Sequence, residues 1–78
     1  MTPEQFEAIH EQLRKMRAAH YAAQWLLEDV VTAIQHAIDG EPLDDAKIRK
    51  IMDQYAHAIE TVRHEAMAAF NMAQKVQR

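Results

Sequence analysis

The residues best suited to chemistry in this chain are its five histidines and the carboxylates spaced around them. His57, Glu60 and His64 form H-x-x-E-x-x-x-H, which sets three donors on one helical face at a spacing that can hold a metal ion. Glu7 and His10 have the E-x-x-H spacing used in di-iron four-helix bundles. Neither pattern is completed. His57 and His64 fall in line with Lys50 and Asn71, a row that reads as solvated. The Glu7–His10 pair has no second copy, and a di-iron site needs further carboxylates from neighbouring helices. No metal and no cofactor are therefore expected. Nucleophilic catalysis has no candidates, because the chain contains neither serine nor cysteine. Gly40 is the only glycine, so no glycine-rich phosphate loop exists. The expectation is a protein that is not an enzyme.

Arg14, Lys15, Arg17 and Arg63 are the candidates for phosphate recognition. Arg17 and Arg63 come close in the fold argued below, as they would in a hairpin that grips RNA. Glu7, Glu11, Glu60 and Glu65 lie within helical reach and neutralise the stripe. The chain's formal net charge is −3, and neither half is basic. A nucleic-acid or nucleotide-phosphate binder using Arg14, Arg17 and Arg63 is thus the alternative reading, and an ion-paired solvated face the simpler one.

These side chains have to be positioned by one small domain of 78 residues. A core that size rarely supplies more than a few kcal/mol, so self-association or another staple is expected. The absence of cysteine excludes disulfides and suits a reducing compartment. No apolar run approaches the roughly 18 residues of a membrane span. No basic start leads into an apolar stretch, so no signal peptide is expected. A cytoplasmic location follows as the expectation.

Punctuation divides the chain in two. Thr2-Pro3-Glu4-Gln5 is a helix start, with Thr2 as cap, Pro3 at the tolerated first position and Gln5 completing a capping box. Met1 and Phe6 can staple it. No breaker follows until Asp39-Gly40, where Gly40 offers a left-handed stop and Pro42 forbids continuation. Asp44 is the next cap, with Leu43 and Ile48 as a second staple. The spacing predicts an all-α antiparallel hairpin: one helix over about 3–39, a turn over 40–44, and a second helix over about 45–76.

Heptad spacing predicts the seam between the helices. On the first, Phe6, Ile9, Leu13, Met16, His20, Ala23, Leu27, Val30, Ile34 and Ala37 step by three and four. On the second, Ile48, Met52, Tyr55, Ile59, Val62, Ala66, Ala69, Ala73 and Val76 keep the same rhythm. Folding one stripe onto the other sets Leu27 against Tyr55 and His20 against Val62. A neutral histidine in that seam acts as a register device and makes the fold acid-sensitive.

The stretch AAHYAAQWLLEDVV over residues 18–31 has more apolar surface than one seam can cover. Trp25 lies nearly opposite the seam, near Tyr21, Ala18 and Ala22. Covering Trp25 alone removes about 150–250 Å² from water, roughly 4–6 kcal/mol. Tyr21, Trp25, Ala18 and Ala22 are the expected surface for a protein partner, as exposed aromatics are common binding anchors. Leu26, Val31, Ile38, Ile51, Met67, Phe70 and Met72 are the expected interface of a homodimer, two hairpins closing a four-helix bundle. A three-helix bundle would need a break near Ala18–Ala23, and no Gly or Pro marks one. The outline resembles copy-number regulators of plasmids, chaperones of secretion systems and small phage proteins that inhibit host enzymes or regulators. That resemblance lies in size and architecture alone. It implies a self-associating helical adaptor or regulator that modulates another protein, with no residue roles to carry over.

Overall fold

A computed structural model describes residues 1–77. It contains two helices, α1 (Pro3–Ile38) and α2 (Asp45–Gln77), packed as an antiparallel hairpin about 58 Å long and 15 by 13 Å across at the Cα level. α1 runs without interruption through residues 18–23, so the chain has two helices and not three.

The ends form as their residues require. The Thr2 hydroxyl accepts from the Gln5 N–H at 3.2 Å, and the Thr2 N–H donates to Gln5 Oε1 at 2.9 Å, a complete capping box. The first staple is not the one expected. Met1 and Phe6 stay exposed, and the Phe6 ring lies against His10 with centroids 4.3 Å apart. α1 stops in a Schellman motif: the Gly40 N–H donates to the Ala37 carbonyl and the Glu41 N–H to the His36 carbonyl. Gly40 reaches φ +101°, a left-handed geometry that other residues resist. His36 Nδ1 and Glu41 Oε2 stand 3.2 Å apart beside it. Asp44 caps α2 by accepting from the Lys47 N–H at 3.1 Å. Gly40→Ala is expected to lower stability by about 1 kcal/mol through backbone strain alone, since no atom lies within 4 Å of the added methyl. A denaturant midpoint unchanged by that substitution would mean the turn relaxes freely.

The seam differs from the expected one by one row. In heptad letters, with Ile9 and Ile48 at position a, the covered positions are a and d of each helix. On α1 these are Ile9, Gln12, Met16, Ala19, Ala23, Leu26, Val30, Ala33 and Ala37; on α2 they are Ile48, Ile51, Tyr55, Ala58, Val62, Glu65, Ala69, Met72 and Val76. Half of the expected stripe, the a row, is retained. The other half, the e row, is replaced. Phe6, His20, Leu27, Ile34, Met52, Ile59 and Ala73 are exposed where burial was expected, while Leu13 and Ala66 are half-buried, as most of the a and d residues are.

The reason is steric. The d row supplies Ala19 and Ala33 on α1 and Ala58 on α2, and small side chains let two helices approach closely. Ala23, 2% exposed, is the only buried apolar residue among those described. Gln12 is the polar exception in the seam. Its amide donates to both the backbone carbonyl and the carboxylate of Glu65, so neither polar group is left unpaired. Ile9 lines one groove with Met72, and Ala33 another with Ile48, which fixes the register at both ends. Between these anchors the heptads set Ala23 opposite Ala58 and Leu26 opposite Tyr55.

Candidate interaction surface

The row displaced from the seam makes the largest feature of the surface. A two-fold axis perpendicular to the hairpin plane relates two antiparallel helices, and it keeps a row on the same side of that plane. The e and b positions of α1 and α2 therefore share one broad side. On α1 this side carries Phe6, Leu27, Val31, Ile34 and Ile38; on α2 it carries Met52, Ile59 and Phe70. All eight are exposed large hydrophobic residues, out of thirteen such residues among those described. An apolar patch of that extent on one side exceeds what single surface residues explain.

The charges on this side are equally one-sided. Arg17, Arg49 and Arg63 occupy b positions, His10 is at b and His20 at e, and Asp45 in the first turn of α2 is the one carboxylate at an e or b position of either helix among the described residues. Carboxylates lie just outside. Glu60 Oε2 stands 3.7 Å from Arg63 Nη1, and Glu11 Oε2 stands 2.7 Å from Arg14 Nη2. Two of the three arginines considered for phosphate binding are thus paired to carboxylates of their own helix. Arg17 makes no ion pair among the described residues.

The expected dimer residues divide between two places. Val31, Ile38 and Phe70 lie on the e/b side. Leu26, Ile51 and Met72 are d residues of the hairpin's own seam, half-buried there. Met67 is exposed at position f of α2, pointing away from the seam. Sequence reasoning placed Leu27, Ile34, Met52 and Ile59 in the core and so missed them as surface residues. The signal that finds them is the small d residues Ala19, Ala33 and Ala58, which let the d row compete for the seam.

Tyr21 and Trp25 lie elsewhere. They occupy f and c of α1, 59% and 73% exposed, with Ala18 and Ala22 exposed nearby. Tyr21, Gln24, Trp25 and Glu28 line a shallow depression along one helix flank. The Tyr21 ring sits 5.9 Å from that of His20. This corner is small, aromatic and bordered by a carboxylate, and is separate from the broad apolar side.

The metal candidates remain apart. His57 and His64 are exposed, the His57 carbonyl accepts from the Thr61 hydroxyl at 3.1 Å, and Glu60 faces Arg63. No group of three His, Asp or Glu side chains converges as a metal site among the described residues. No helix among them is long and apolar enough to cross a membrane.

Comparison with protein-family models, with curated proteins and with solved structures found no match.

Proposed function

We propose that the chain is a small non-enzymatic adaptor or regulator that self-associates and binds another protein through its helical surface. The observation that carries this is the mismatch between core and surface. One apolar residue is buried, while eight large ones crowd a single side. A hairpin with so little core is only marginally stable alone and gains further stability from whatever covers that side. Phe6, Leu27, Val31, Ile34, Ile38, Met52, Ile59 and Phe70 are assigned to self-association into a four-helix bundle. Tyr21 and Trp25, off that side, are left free to anchor a second protein, whose activity the hairpin then modulates or inhibits.

An affinity capture with the wild-type chain and a Trp25→Ala variant tests the second half. Trp25→Ala is expected to change stability by no more than about 0.5 kcal/mol, as exposed positions do. It is expected to weaken the captured partner by about 2 kcal/mol or more, as loss of an anchor does. A variant that unfolds, or that keeps full affinity, contradicts the role assigned to Trp25. Salt separates this reading from phosphate binding. An apolar interface holds its affinity between 50 and 200 mM salt, whereas a nucleic-acid grip through Arg14, Arg17 and Arg63 falls steeply.

A further inference from the structure

We infer that the occupant of the e/b side is a second copy of this chain, packed face to face about a two-fold axis that crosses the hairpin at His20. The inference rests on the self-association proposed above and adds its geometry.

Area favours a second copy. The eight exposed side chains leave on the order of 800 Å² open per chain, which is what one partner contributes to a standard interface. A two-fold interface needs a surface complementary to itself, and the rows have that property. On α1 the e row reads Phe6, Leu13, His20, Leu27, Ile34, which is large on both sides of a central histidine. Reversing it about His20 sets Leu13 against Leu27 and Phe6 against Ile34 of the other copy. After Asp45 in the first turn, the e row of α2 reads Met52, Ile59, Ala66, Ala73, two large residues followed by two small. Reversing it between Ile59 and Ala66 sets each large residue against a small one, and Phe70 against Ala56 in the b row.

The two reversal points were read from different helices, yet they coincide. In the register fixed by Ile9–Met72 and Ala33–Ile48, they differ along the hairpin by about one and a half residues, roughly 2 Å. A single axis serves both. The other way to close the bundle, with the axis along the hairpin, puts Leu27, Ile34, Met52 and Ile59 of both copies at one end. Ala66 and Ala73 would then meet Leu13 and Phe6 at the other end, large against small there and large against large at the first. Side-chain volume is even along the bundle only with the perpendicular axis, as close packing requires.

The charges agree with it. Arg63 falls beside the axis, which brings Glu60 of each copy next to Arg63 of the other, two carboxylates to two guanidinium groups. Arg17 and Arg63 occupy b positions at the rim, where their stems cover apolar surface and their heads reach water. His20 meets its own symmetry mate in the middle, a polar pair that fixes register as a buried polar residue does in coiled coils.

Because the chain has no cysteine, single Cys variants report this geometry cleanly. A nitroxide on Leu43→Cys marks the turn. The perpendicular axis puts the two turns at opposite ends, about 60 Å apart at 1.5 Å per residue, and electron–electron dipolar spectroscopy should return that distance. A distance under about 30 Å in a particle of twice the chain mass overturns the axis while leaving self-association intact. A monomeric particle overturns both. As a second measurement, His20→Cys should form an intermolecular disulfide readily on mild oxidation and Leu13→Cys should not, because only residues at the axis bring their Cα atoms within about 7 Å. The reverse result moves the axis away from His20 and contradicts the inference.

Discussion

Leu27→Lys is expected to leave the hairpin folded and to break its self-association. Leu27 is 41% exposed in the single chain, so a lysine there meets water and keeps good helix propensity. In a face-to-face dimer the same position is covered. An ammonium buried there lies about 13 Å along the hairpin from Asp45, the one carboxylate at an e or b position, and Arg17 and Arg63 stand on the same side. Burying an uncompensated charge costs about 3–5 kcal/mol, and the two-fold symmetry introduces it twice. Dimer affinity should fall at least 100-fold. Sedimentation velocity across a dilution series reads this directly, with far-ultraviolet circular dichroism at high concentration to follow the helix. A Leu27→Lys chain that dimerises like the parent would place the interface elsewhere on the molecule.

Ala23→Leu tests the seam in the opposite sense. Ala23 is 2% exposed, and the register sets it opposite Ala58. Three extra carbons have no room unless the helices part along much of their length. Overpacking of this kind costs about 1–3 kcal/mol, and the upper end applies here because there is no other buried apolar layer to absorb the shift. Leu27→Ala, which removes the same three carbons from an e position, should cost the isolated hairpin less. The comparison is decisive for the phase of the seam. If Leu27→Ala destabilises a monomeric variant more than Ala23→Leu does, the e row and not the d row faces the partner helix. Denaturant midpoints of both changes, made on one monomeric background substituted at another e position, such as Ile34→Lys, supply the numbers.

The parts of this fold legible in the sequence are those set by local chemistry. Thr2, Gln5, Gly40, Pro42 and Asp44 each act within a few residues, so the two helices and their turn follow from them to within a residue or so. The phase of the seam is a different kind of quantity. Two rows, d and e, compete to join the a row, and they lie about 100° apart around the helix. Hydrophobicity favours the e row, with Phe6, Leu27, Ile34, Met52 and Ile59. Close approach favours the d row, with Ala19, Ala33 and Ala58, and tolerates Gln12 because Glu65 satisfies it. A rule that scores each helix for greasiness selects the wrong row, because the greasiest row is the one needed outside. Exposure of Tyr21 and Trp25 was legible, since neither belongs to any seam compatible with the a row. The surface formed by the e and b rows was legible only in its b row, where Val31, Ile38 and Phe70 read as an interface, because its e-row residues were assigned to the core. The histidine in the e row changes meaning with it. His20 is exposed in the hairpin and not buried in its seam.

The central claim is that the hairpin is half of a larger helical bundle. Sedimentation equilibrium of the wild-type chain at micromolar concentration tests it most directly. The account predicts a particle of twice the 9.0 kDa chain mass, with a thermal midpoint that rises with protein concentration, as mass action requires. A 9.0 kDa particle that unfolds cooperatively at a concentration-independent midpoint would contradict it.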